Sequence, residues 1–218
     1  MGQRCVKVLL PIIVILSMSQ HLPQDYNLDV VEYFAGVQTI VTAARNQGKT
    51  AAAFDMEIDS RMNILDPLGF SYAVELMLRL TPKGLVHFAP PCGTWVFMSR
   101  GITGRSKTRP EGWTEYRSVS DANVITIRVT LLILIAMAKG CTWVVEQPAI
   151  SVMGHFPQFK RIVDKCGFRI FTWMGAFGAH TPKATLLWSN NKELLFLMKM
   201  TINRSSYNTD VSAKVAKK

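Results

Sequence analysis

The sequence predicts an α/β fold, a mostly parallel sheet with helices on both faces. Two observations carry this. Apolar runs of strand length, at residues 28–34, 50–54, 85–89 and 141–145, alternate with segments of helical period. Turn and cap residues punctuate them: Ala35-Gly36, Gly48, Thr81-Pro82-Lys83-Gly84 and Gly167. A chain of 218 residues, 49% of them hydrophobic, is long enough to bury a full core in one domain.

Taken in order, residues 28–34 read as a buried strand, and a helix over 39–46 stops at Gly48. The strand at 50–54 runs into Asp55-Met56-Glu57-Ile58-Asp59. Ala73, Leu76, Met77 and Leu80 fall on one side of a helix over 70–80, which the Thr81-Pro82-Lys83-Gly84 turn closes. The next strand, 85–89, delivers Pro90-Pro91-Cys92. Residues 93–120 carry no sustained apolar period and are expected to form a mobile basic loop, since a loop of such length inside a domain is usually functional or disordered. An apolar helix over 124–139 and a strand over 142–145 follow, then a helix over 156–165 and closing strands at 168–173 and 185–188. The expected order is β-α-β-α-β-loop-α-β-α-β-β, with no internal repeat.

The net charge of +10 favours a polyanionic partner. The four cysteines, Cys5, Cys92, Cys141 and Cys166, make no C-x-x-C pair and no Cys/His cluster of zinc spacing, so no metal is expected. Residues 1–22 form a separate apolar segment. Arg4 and Lys7 precede an apolar run over 8–16, and small residues follow at Ser17 and Ser19. That is the outline of a secretory signal peptide, and an extra packed element is the other reading. The run is shorter than the roughly 20 residues of a bilayer span, and the 124–139 helix is interrupted by Arg128, so no stable membrane span is expected. The core is placed at 23–200, and 201–218 is expected to be a basic, disordered tail.

Chemistry-bearing residues gather where the strands end. In open α/β sheets ligands bind outside the carboxyl ends of the strands. The Phe34-Ala35-Gly36 turn joins a strand to a helix, where backbone N–H groups can approach a ligand. A carboxylate about twenty residues further on can accept both hydroxyls of a ribose, which points to Glu57. Asp55 and Asp59 compete with it, because strand alternation would put all three on one side. Cys92 and Glu146 each follow a predicted strand, and a thiol with a carboxylate suggests a nucleophile and an acid–base partner. Arg100, Arg105, Lys107, Arg109 and Arg117 fall in the 93–120 segment and are expected to contact phosphates.

Four segments in this order, Phe34-Ala35-Gly36, Glu57-Ile58-Asp59, Pro90-Pro91-Cys92 and Glu146-Gln147-Pro148, resemble the C5-cytosine-specific DNA methyltransferases. The later Lys183-Ala184-Thr185-Leu186-Leu187-Trp188-Ser189-Asn190 run is similar to a segment of some members. The resemblance implies a Rossmann-like class I methyltransferase core and S-adenosylmethionine as cofactor. Phe34 would pack on that cofactor, Ala35, Gly36 and Pro91 would lie near it, Glu57 would hold its ribose and Asp66 would sit near its adenine. Cys92 would attack C6 of cytosine, and Glu146 would contact N3. The partner implied is nucleic acid, DNA ahead of RNA, and the location nuclear, which conflicts with a signal peptide. The sequence also departs from the family. Val37-Gln38-Thr39 replaces a glycine-rich step, Gly93 follows the cysteine where glutamine is usual, and Gln147 stands where asparagine is usual. No Gln-x-Arg-x-Arg segment is present, and the chain leaves no room for a target-recognition domain, so sequence-specific binding is not expected. Two further readings follow: a catalytically inactive nucleic-acid-binding remnant, or a methyltransferase with a different substrate.

Overall fold

The computed structural model describes residues 26–199; the apolar N-terminal segment and the basic tail lie outside them. Six strands form one mixed sheet in the order β2-β1-β3-β4-β6-β5. They are β1 (Leu28–Tyr33), β2 (Ala51–Phe54), β3 (Leu80–Phe88), β4 (Thr142–Pro148), β5 (Phe168–Trp173) and β6 (Ala184–Ser189). The helices are α1 (Thr39–Asn46), α2 (Pro67–Arg79), α3 (Arg100–Thr103), α4 (Arg117–Ala138) and α5 (Pro157–Cys166).

The expectation of a mostly parallel sheet is corrected. β1 pairs in parallel with both β2 and β3, but β5 and β6 are antiparallel, from Phe168↔Ser189 to Trp173↔Ala184. The reason is the connection. A parallel neighbour needs a crossover of about a dozen residues or more, usually a helix, whereas residues 174–183 hold only a short 3-10 turn.

Two compact units divide the chain, Met1–Pro90 with Ser120–Val144, and Pro91–Val119 with Val145–Lys218. The chain passes from one to the other inside the Pro90-Pro91-Cys92 triplet and again one residue before Glu146.

In the first unit the core is built on β1. Tyr33 stacks on Phe88 with ring centroids 4.9 Å apart and leans on Phe54 at 5.4 Å. Its buried hydroxyl donates to the Ala73 carbonyl of α2 at 2.6 Å, which satisfies the one polar atom the ring brings inside. α2 starts three residues earlier than its apolar period suggests. Asp66 caps it by accepting from Leu68 and Gly69 N–H, and Pro67 occupies the first turn. The expected Thr81-Pro82-Lys83-Gly84 turn is a bulge inside β3: β1 pairs Leu28 with Leu80 and Val30 with Leu85. α4 is long and apolar enough, by length and composition, to cross a membrane, and half of that apolar stretch is buried. Val129, Leu132, Ile133 and Ala136 are fully buried, as in a core helix, and Arg128 donates to the Ile64 and Asp66 carbonyls.

α1 is held unusually. Its N-cap residue, Gln38, is left-handed and gives no side-chain cap. The cap comes instead from Glu32, a carboxylate 5% exposed on β1, which accepts from Val41 N–H at 2.9 Å and from Ile40 N–H. Burial raises the Glu32 carboxyl above its ordinary 4.5, and the two N–H bonds pull it partly back.

The folded protein thus holds the Glu32 proton more tightly than the unfolded chain. Its pH-linked stabilisation is complete below 4.5 and is lost as pH rises through the raised value. Thermal melts of Glu32→Gln between pH 4 and 7 should lack that decline. Glu32→Ala should cost about 1–2 kcal/mol, the worth of a helix N-cap, and more at pH 4 than at pH 7. A wild-type pH slope in Glu32→Gln would contradict the assignment.

Candidate functional site

The first unit presents a turn and a loop at the ends of β1 and β2. The turn is tightly wound: Phe34, Gly36 and Gln38 have positive φ of 57°, 45° and 58°. Left-handed backbone costs roughly 1 kcal/mol or more for each non-glycine residue, a cost that tends to sit at functional sites. Asp55 joins turn to loop. Its carboxylate accepts from Gly36 N–H and from Glu57 N–H, each at 2.8 Å, while its carbonyl accepts from Ile58 and Asp59 N–H.

This network separates the three carboxylates that strand alternation left equivalent. β2 ends at Phe54, so residues 55–59 form a hydrogen-bonded loop. Asp55 is spent on the turn. Asp59 binds Arg61, whose side-chain hydrogen bonds hold its carboxyl down at about 2. Glu57 is exposed, and among the described residues its carboxylate accepts no hydrogen bond and joins no ion pair. A side chain added at Gly36 meets nothing within 4 Å, so the turn's outer face is open. Val37, 90% exposed, and Met56 and Ile58 supply apolar surface in the same two segments. Phe34 is half-buried and Ala35 buried. Asp66 is engaged as the α2 cap.

The second unit contains Cys92 and Glu146. Cys92 is a free, half-buried thiol, and its carbonyl accepts from Trp95 N–H at 2.9 Å. Pro91 beside it is exposed. The chain just after Cys92 is stitched to the chain just after Glu146 by a Val96–Ser151 bridge and by Val152 N–H donating to the Trp95 carbonyl at 2.9 Å. Glu146, with a side chain 19% exposed, receives a 2.9 Å ion pair from Lys183 at the head of β6. Gln147 is buried and accepts from the Ser151 hydroxyl. Lys183 belonged to a recognisable segment, but nothing in its spacing revealed that it faces Glu146.

The 93–120 segment is packed, correcting the expectation of a mobile loop. Its organiser is Arg105. The side chain is 2% exposed, its guanidinium lies 3.4 Å from the Trp95 ring centroid, and it donates to the Pro110 and Val119 carbonyls. Gly104 and Gly112 have positive φ and lie so close to Trp113 and to the Thr103 carbonyl that a Cβ would collide. Burial pushes the Arg105 guanidinium down to about 10, so it stays charged at neutral pH. Arg105 is therefore unavailable for the phosphate contact expected of it. Lys107, Arg109 and Arg117 are exposed, and Arg100, half-buried, lies over the Phe97 ring at 4.1 Å. Among the described residues no group of His, Cys, Asp or Glu could hold a metal ion.

In comparisons with known proteins, the chain matches no protein-family model and no curated protein.

Arg105→Ala should destabilise the protein by about 2–4 kcal/mol, because it strands buried carbonyls and leaves a void against Trp95. Lys107→Ala and Arg109→Ala should each stay within about 0.5 kcal/mol of wild type. Denaturant melts distinguish the two classes, and an unchanged Arg105→Ala midpoint would show that the guanidinium is not structural.

Proposed function

We propose that the protein is an S-adenosylmethionine-dependent methyltransferase acting on cytosine C5 in nucleic acid, DNA ahead of RNA, built on a Rossmann-like class I methyltransferase core. In this reading the first unit holds the cofactor and the second carries the groups that act on the base. The observation that carries it is the stitching of the chain at Pro91-Cys92 and at Glu146-Gln147-Pro148, distant in sequence, into one compact unit.

The residues of the first unit fit the cofactor. β1 lies between β2 and β3, so the chain moves to one side of it for β2 and to the other for β3, the kind of switch point at which open sheets take ligands. Glu57 offers an unspent carboxylate for the two ribose hydroxyls, the open face over Gly36 admits the amino-acid end, and Val37, Met56 and Ile58 offer apolar cover for the adenine. When bound, S-adenosylmethionine supplies an electrophilic methyl group.

The chain's own residues prepare the base. Cytosine C5 is a poor nucleophile until C6 is attacked. Cys92, as its thiolate, forms the bond to C6 while the C5–C6 double bond opens, and the electron pair is delocalised towards N3. N3 takes up a proton from solvent as that charge builds, and the Glu146 carboxylate accepts a hydrogen bond from N3–H and so promotes the attack. Lys183 acts as a positioning residue, holding the Glu146 side chain through their ion pair. The target base must leave its stack to meet them. Exposed Lys107, Arg109 and Arg117, with Arg100, supply contacts to phosphates that require no sequence.

Calorimetry should detect S-adenosylmethionine binding that weakens about ten- to a hundredfold in Glu57→Ala, the loss of about 1.5–3 kcal/mol expected for a hydrogen bond to a charged group. Incubation with labelled cofactor and cytosine-containing oligonucleotides should yield 5-methylcytosine by mass spectrometry. Cofactor binding without product on DNA or RNA would favour the inactive remnant, and no binding at millimolar cofactor would remove the cofactor from the account.

A further inference from the structure

A second concave site in the same unit as Cys92 and Glu146 belongs to none of these groups. It is a cavity of about 260 Å³ whose lining includes Ser151, Gly154, His155, Lys160, Asp164, Arg169 and Trp188. Its floor is apolar and rigid. Trp188 is buried edge-on against Phe159 at 5.3 Å, and it lies so close to Gly154 that a Cβ there would approach its ring to 2.8 Å. Arg169 stands opposite Trp188 in the β5–β6 register. Its walls carry two cations, Lys160 and Arg169, and one acid, Asp164, which is bonded to Lys160. Lys107, Lys160 and Arg169 all act on the half-buried imidazole of His155, and among the described residues Asp164 is the acid acting there. Among the described residues the His155 ring makes no hydrogen bond, so it is free to donate one. Ser151 ties the cavity to the strand end that carries Glu146, through its bond to Gln147.

We propose that this cavity holds a backbone phosphate of the polynucleotide substrate, with Arg169 and Lys160 supplying charge and His155 a directed hydrogen bond. The proposal rests on the nucleic-acid reading above and adds a specific anchor to it. The chemistry fits. Two cations, Lys160 and Arg169, line the cavity beside the imidazole, Lys107 acts on it from outside the lining, and Asp164 is paired with Lys160, so a phosphodiester supplies negative charge and acceptor oxygens for Arg169 and His155. Burial, and then Lys107, Lys160 and Arg169, lower the His155 pKa below its ordinary 6.5, while Asp164 raises it slightly. A bound phosphate reverses the sign of the local field and raises it. Binding therefore takes up a proton, and affinity grows as pH falls through the bound-state pKa and levels off below the lowered free-state one. The phosphodiester keeps its single charge throughout this range, so the pH dependence reports the imidazole.

The test is fluorescence anisotropy of a labelled single-stranded DNA oligonucleotide with the full chain, from pH 5.5 to 8 and across a salt series, for wild type, His155→Gln and Arg169→Gln. Melting temperatures would confirm that the variants fold. The proposal expects tighter binding on acidification, loss of that dependence in His155→Gln, and about tenfold weaker binding with a shallower salt slope in Arg169→Gln. Folded variants that bind as wild type does, with the same pH and salt dependence, would overturn the anchor while leaving the nucleic-acid reading intact. Wild-type protein that binds no DNA or RNA oligonucleotide would overturn both. The NMR titration of His155 gives an independent measurement. A rise in its pKa on adding oligonucleotide supports the anchor, whereas a rise with inorganic phosphate and none with oligonucleotide would make the cavity a small-anion site and overturn the polynucleotide assignment.

Discussion

The carboxylate of Glu32 fixes the part of the molecule on which the cofactor reading rests. It sits on a central strand and satisfies the first amides of α1 from outside the helix, which Gln38 cannot do. That bond anchors the start of α1 at the end of β1, so the few residues between them must wind tightly, and three left-handed residues result. Asp55 then ties the wound turn to the loop after β2. Two carboxylates thus hold the backbone, and Glu57 is left over. An unspent carboxylate beside an open turn is what a hydroxyl-rich ligand needs, and it exists because its neighbours are spent on structure.

The second unit divides its charges in a similar way. Arg105 is buried and structural, Lys183 is committed to Glu146, and Lys107 and Arg109 are exposed. The net charge of +10 is therefore a sum over different roles. The basic stretch after Cys92 owes its order to Arg105 stacked on Trp95, and the cavity at His155 takes its lining cations from α5 and β5.

Most strands could be read from the sequence because each is a short apolar run with a turn former beside it. What could not be read depended on partners distant in the chain. Period-two alternation leaves Asp55, Glu57 and Asp59 equivalent, and only the end of β2 at Phe54 and the bond to Gly36 separate them. Residues 93–120 looked like a loop because Arg105, Trp95 and Trp113 hold them in place of an aliphatic period. The first turns of α4 were hidden among polar residues, although Val119, Ala122 and Thr126 already carry its buried face at helical spacing. The antiparallel end of the sheet was legible in one respect, since two predicted strands followed each other with no helix between them.

The central claim is that the Cys92 thiol acts on C6 of cytosine, and covalent trapping tests it most directly. An oligonucleotide carrying 5-fluorocytosine, incubated with the full chain and S-adenosylmethionine, should form a protein–nucleic acid adduct that survives denaturation, because fluorine at C5 blocks the elimination that would release the enzyme. Peptide mapping should place the bond on Cys92, and Cys92→Ser, whose hydroxyl is barely ionised at neutral pH, should form none. An adduct that persists in Cys92→Ser, or none on DNA or RNA from protein shown to bind the cofactor, would contradict the account and leave Cys92 a structural thiol.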